Sequence, residues 1–149
     1  MKTTKQYGRR ADLALTMWVK LARAASTFEH KSHENIRSFG LTAPQFAIVE
    51  TLGHLGPLLM GELTKKQLVS GGNTTVVVNN LAKQGLVERQ VCKEDRRATY
   101  VQLTAKGRKQ FKQIFPKHAA FIAKAASVLT EAEQKELAAL LKKLGTGIG

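Results

Sequence analysis

Between Arg9 and Glu29 the apolar residues Leu13, Met17, Leu21, Ala25 and Phe28 recur every three or four positions, which predicts one stripe along a long helix. Gly40 punctuates the chain, and Thr42-Ala43-Pro44-Gln45 reads as a helix start. There the Thr hydroxyl takes a free amide, Gln45 returns the bond, and Pro44 sits where no donor is needed. This helix carries Phe46, Val49 and Leu52 and is expected to stop between Gly53 and Pro57. After a short apolar link, Leu58-Leu59-Met60, a brief helix over 61–68 turns Leu63 and Leu68 inward. Ser70-Gly71-Gly72-Asn73 is dense in turn formers. Thr74 to Gln84 then forms a helix with Thr74, Val77, Val78 and Leu81 on one side and Gly85 as its stop. Two short helices joined by a tight turn make a helix-turn-helix pattern.

Leu86–Val91 and Ala98–Leu103 are rich in β-branched and aromatic residues and flank the polar run Cys92-Lys93-Glu94-Asp95-Arg96-Arg97. That predicts a β-hairpin with a charged tip, and hence a winged helix-turn-helix. From Thr104 another helix begins, with Phe111, Phe115, His118, Ile122, Ala125 and Leu129 along a seam and Pro116 expected to kink it. Thr130-Glu131-Ala132-Glu133 is a capping box opening a last helix with Leu137, Leu140, Leu141 and Leu144 on its apolar face. The expected fold is mainly α with a small β-hairpin wing, one domain over 1–149. Dimerisation helices of about 9–32 and 105–145 flank a winged-helix module of about 41–104. The terminal helices carry more apolar surface than the central module needs, so two copies are expected to pack through them and present two recognition helices.

Charge sharpens this picture. Among 149 residues, 24 Lys and Arg against 11 Asp and Glu give a net charge of +13, the regime in which a polyanion is the expected partner. The longest apolar stretches span a few residues, such as Val76-Val77-Val78, and the basic N-terminus has no signal-like apolar region after it. No membrane span is expected, and the cytoplasm is the default location. Cys92 is the single cysteine, so no internal disulfide can form. The sequence lacks GxSxG, a phosphate loop and HExxH, which argues against an enzyme. No cofactor and no metal is expected.

At Leu41-Thr42-Ala43-Pro44-Gln45-Phe46, Leu81-Ala82-Lys83-Gln84-Gly85-Leu86-Val87-Glu88-Arg89, Glu94-Asp95-Arg96-Arg97 and Leu103-Thr104-Ala105-Lys106-Gly107 the chain resembles the MarR-type winged-helix transcription factors. In order and spacing the resemblance covers about residues 10–145. It implies a homodimer joined by the terminal helices, whose two winged lobes straddle a palindromic operator on double-stranded DNA. It also implies repression, commonly released by a small phenolic or lipophilic effector held between the dimerisation and DNA-binding regions. The alternative is a basic winged-helix adaptor, binding protein or nucleic acid without sequence preference or effector response.

Candidate DNA-binding residues are Asn73, Thr74, Thr75, Val76 and Asn79 on the recognition helix, with Lys83 toward its end. A hydroxyl or amide there can bond base edges, Asn suiting adenine, while Val76 suits a thymine methyl. Related proteins often carry Arg at the position of Val76, so guanine readout from it is not expected here. At the hairpin tip Arg96 and Arg97 suit the minor groove. The family's Asp-x-Arg pattern makes Arg97 the stronger candidate, with Asp95 bracing it. Lys65, Lys66, Lys83 and Lys93 are candidates for phosphate contacts only. The bland alternative for all of these is a solvated surface.

Met17, Trp18, Phe39, Phe46 and Met60 are candidate effector-pocket residues, and the same aromatics read equally well as core. Cys92 lies in the wing with no second cysteine to resolve it, which favours a bystander over a redox sensor. His30 and His33 have the spacing to begin a metal site but lack further clear ligands. His118 is expected to be a satisfied histidine at the dimer seam, and His54 carries no signal.

Overall fold

The computed structural model describes residues 6–67 and 73–148; Leu68 and the expected Ser70-Gly71-Gly72 turn lie outside the described residues. The elements run α1 (Arg9–Arg37), α2 (Ala43–Leu55), β1 (Leu58–Leu59), α3 (Met60–Lys66), α4 (Thr74–Lys83), β2 (Val87–Val91), β3 (Thr99–Leu103), α5 (Ala105–Ala126) and α6 (Glu131–Ile148). The strands form one antiparallel sheet in the order β1-β3-β2, with Leu58 opposite Val101 and Arg89 also opposite Val101 on the other side. The fold is a mostly helical winged helix with a small hairpin wing.

Local chemistry sets the helix starts. Thr42 and Gln45 exchange both capping-box bonds, at 3.3 Å from the Gln45 amide and 3.0 Å from the Thr42 amide. Thr130 and Glu133 repeat the device at α6, and the Thr130 backbone and hydroxyl bonds hold the Glu133 carboxyl below its usual range. Glu62 Oε2 accepts the Leu59 amide at the start of α3.

α2 ends at Leu55 with Gly56 as its cap, inside the expected range, and Gly53 within it leaves room for the Phe111 ring, which a Cβ there would meet at 2.6 Å. Two departures from the sequence reading, at Leu58-Leu59 and along the seam of α5, have long-range causes. Leu58-Leu59 is a strand instead of a link, since it supplies β3 with its second partner. α5 is one helix with Pro116 inside it, flanked by the buried Ile114 and His118. Phe111, Phe115 and His118 are engaged within the chain, against His54 and Phe46 of α2, so this half of the expected dimer seam is internal.

The core is built from Ile36, Leu41, Phe46, Ile48, Val49, Leu52 and Leu63, completed by α4, both long strands and Ile114. Ile36 is the one buried residue of α1, and none of α6 is buried. The predicted α1 stripe is therefore largely uncovered in the single chain, with Leu13 70% exposed. Among the described residues, no helix is long and apolar enough to cross a membrane.

A compact joint ties the wing to the rest. The Thr104 hydroxyl donates to the Gly85 carbonyl at 2.6 Å and accepts the Gly107 amide at 3.0 Å, while the Thr104 amide donates to the Leu86 carbonyl at 3.1 Å. Lys106 Nζ donates to the Gln84 carbonyl, satisfying the end of α4. This joint needs glycine at position 107, where a Cβ would overlap the Leu86 carbonyl oxygen. Gly107→Ala is expected to destabilise the fold by about 3 kcal/mol, the upper range for overpacking. By contrast Gly61 faces open space within α3, so Gly61→Ala should stabilise by about 0.4–1 kcal/mol. Guanidinium denaturation of the two variants checks both, and equal midpoints would refute the close-approach reading.

Candidate nucleic-acid interface

α4 separates its residues cleanly by angle. Thr74, Val77, Val78 and Leu81 face the core, while Thr75, Val76, Asn79 and Lys83 fall on an exposed arc opposite. Thr74, 8% exposed, is thus turned inward and is not a groove-facing residue, a correction that its helical spacing with Val77 and Val78 explains. Asn73 is the N-cap, its Oδ1 accepting the Thr75 amide at 3.0 Å. That bond commits its carbonyl oxygen to the helix start and leaves its Nδ2 as a donor. Lys65 and Lys66 end α3 in exposed positions.

In the wing, Asp95 Oδ1 accepts the Arg97 backbone amide at 3.0 Å and its Nε at 3.4 Å. The Asp95 carbonyl also accepts the Ala98 amide, closing the turn. Asp95 therefore braces Arg97, whose side chain stays 93% exposed. An exposed ion pair of this kind contributes little stability, about 0–1 kcal/mol, so its effect is to orient the guanidinium. Lys93 and Arg96 are exposed beside it. One residue absent from the sequence candidates joins the two elements: Arg89 of β2 donates from its guanidinium to Asn79 Oδ1. The period-two pattern was its signal, because Arg89 shares a strand face with the core residue Val87.

A helix-turn-helix with an outward-facing α4 and a braced arginine on the wing is matched by the family model described as MarR family over residues 39–98. The chain is 34% identical over 132 residues to the HTH-type transcriptional regulator MhqR of Bacillus subtilis (strain 168), covering 89% of this chain and 91% of that one. The chain belongs to the MarR family. It is accordingly a DNA-binding transcriptional regulator. Its fold is similar to that of Sco3205, a MarR family transcriptional regulator from Streptomyces coelicolor solved in complex with DNA. The TM-score is 0.81 at 24% identity, covering 91% of this chain and 90% of that one. It is likewise similar to the organohalide-sensing RdhR-CbdbA1625 regulator in its 2,4-dichlorophenol-bound form, with a TM-score of 0.78 at 19% identity over 99% of this chain and 89% of that one.

Of the candidate effector-pocket residues, Phe39, Phe46 and Met60 share one cluster, while Met17 and Trp18 lie apart from it. Phe46 is a core residue, its ring 4.6 Å from that of His118, in line with the core alternative. Phe39 and Met60 are half-buried against the core. Met17 and Trp18 are exposed on α1, about 28 Å along the helix from Ile36. His30 Nε2 lies 3.2 Å from Glu34 and His33 Nε2 3.8 Å from Glu29, each contact spanning one turn of α1. Among the described residues no group of three or more His, Cys, Asp or Glu is placed to hold a metal. Cys92 is half-buried where the wing turn begins, its amide donating to the Ala98 carbonyl.

His118 is satisfied, but inside the chain. Its Nδ1 donates to Asn35 Oδ1 at 3.0 Å, joining α5 to α1, and its ring packs on Phe46 of α2. Burial pushes the imidazole below its usual 6.5, with the Glu50 carboxylate opposing in part. The folded state thus holds the neutral ring, while the unfolded chain takes up a proton first as pH falls. This contribution to stability is whole above about pH 6.5 and is lost progressively below it. The thermal midpoint of the protein is expected to fall as pH is lowered from about 7.5 to about 5.5, and less so for His118→Gln. Parallel curves for the two proteins would remove His118 as the cause.

Proposed function

We propose that the chain acts as a homodimeric repressor that binds a palindromic operator and is released from it by a small phenolic or lipophilic effector. The observation that carries this reading is the bond between Asn79 and Arg89, which couples the exposed α4 arc to the wing bearing Arg97. A recognition helix and a wing so joined suit one half-site, with α4 in a major groove and Arg97 in the flanking minor groove. The second half-site requires a second copy. The exposed Leu13, Trp18, Leu137, Leu140 and Leu141 of α1 and α6 supply an apolar surface for it, and these are the helices that leave most of their apolar residues uncovered. Half-sites about 10 bp apart match twin reading heads on one face of the duplex.

Support for the effector comes from RdhR-CbdbA1625, which shares the fold and is an organohalide sensor with 2,4-dichlorophenol bound. In this chain Phe39 and Met60, at the rim of the core below α1, remain the lining candidates. Repression follows from steric competition with polymerase at the operator. An effector that binds better to a dimer with differently spaced lobes draws the population away from DNA.

Footprinting on the DNA upstream of the protein's own gene is expected to protect one inverted repeat. Uniform retardation of any duplex would instead favour the adaptor reading. On that operator Arg97→Ala should weaken binding by about 1–3 kcal/mol, and affinity should fall steeply with salt as phosphate contacts are screened. Unchanged affinity would remove the wing assignment. Sedimentation equilibrium should find dimers at micromolar concentration, and single chains on a symmetric operator would overturn the proposal.

A further inference from the structure

The contact between Arg89 and Asn79 has a chemical polarity. A guanidinium carries five N–H donors and no acceptor, so the amide atom that faces Arg89 is Oδ1, and Nδ2 is the atom left for other partners. Arg89 reaches Asn79 because of its register. Val87, opposite Leu103, enters the core, and Arg89, two residues on and opposite Val101, shares that face at the rim where the core gives way to the exposed side of α4. Glu88, on the other face, is held by Gln102 at 2.6 Å and does not compete for the guanidinium.

An unrestrained Asn reads adenine by using both ends of its amide, Oδ1 accepting from N6 and Nδ2 donating to N7. Oδ1 keeps a second lone pair, but its bond to Arg89 turns that end of the amide toward the strand, so Nδ2 is the end that leads. A leading donor seeks acceptors: guanine O6 and N7, adenine N7 or thymine O4. Val76 separates these. It lies one turn before Asn79, is 52% exposed, and its isopropyl group gains an apolar partner from the thymine methyl alone. Resting on the docking of α4 in the major groove proposed above, we infer that Arg89 is a positioning residue for base choice. It fixes the Asn79 amide as a donor, so that Asn79 and Val76 together read thymine in place of the adenine a free Asn would take.

The test uses the full chain and selection from random duplexes, followed by titration of single-base variants of the selected site. The base that Asn79 reads is the position whose preference disappears in Asn79→Ala. There the wild-type protein is expected to prefer thymine over adenine by roughly tenfold, within the range that one base contact discriminates. Arg89→Lys retains a donor and should keep thymine. Arg89→Ala frees Oδ1 and should turn the preference to adenine with the rest of the half-site unchanged. Arg89→Met, which keeps an aliphatic stem, replaces Arg89→Ala if the latter unfolds at a lower temperature than the wild type. A uniform loss of affinity with thymine still preferred in Arg89→Ala would make Arg89 a phosphate contact and overturn the inference, as would adenine at that position in the wild type. If even the wild type enriches no sequence, the operator reading itself fails and this inference falls with it.

Discussion

The reading elements are held in register by the joint at Thr104. One hydroxyl serves two backbone partners there, donating to the end of α4 at Gly85 and accepting the first turn of α5 at Gly107. The neighbouring Leu86 carbonyl accepts the Thr104 amide, and the missing side chain at Gly107 lets the two backbones approach. Recognition helix, wing and long C-terminal helix therefore meet at one point. A loosened joint would alter the angle of the wing to α4 and of both to α5 together, which is why a motif of short polar residues and glycine stands where α5 begins.

A second tie lies deeper. His118 bonds Asn35 across α5 and α1 and packs on Phe46, and Phe111 and Phe115 of the same helix meet His54 of α2 edge to face. The C-terminal end of α1 and the stretch of α5 from Phe111 to His118 are thereby tied to α2 of the winged module. Gln134 of α6 donates to the Ala126 and Leu129 carbonyls, fastening the start of α6 to the end of α5. The protomer thus presents a winged module with two largely uncovered helices, α1 and α6, tied to it and to α5 by part-buried hydrogen bonds.

What was legible in the sequence was local or periodic. The capping residues Thr42 and Thr130 act within three positions, and the core face of α4 and the two wing strands follow repeats of 3.6 and 2. What was illegible depended on partners distant in the chain. The Phe111 ring lies against Gly53, His118 is satisfied by Asn35, and Leu58-Leu59 is too short to show alternation before β3 pairs with it. A periodic pattern names a face but not its neighbour, so the seam of α5 was assigned to a second chain when its first half serves α2. Phe46 reads both ways for a related reason, since an aromatic residue beneath a helix looks the same in sequence whether it fills a core or lines a pocket. Thr74 and Arg89 were within reach, as helical and strand periods respectively place them, and the helix-turn-helix itself drew attention to neighbouring residues.

The order of the sheet has a further consequence. With β3 in the middle, β2 is an open border that no other strand among the described residues covers. Such a border invites pairing with another chain. The border is five residues long and carries the charges of Glu88 and Arg89 at its middle. The charge of Arg89, which also meets Asn79, thus blunts a border that would otherwise be open to strand pairing.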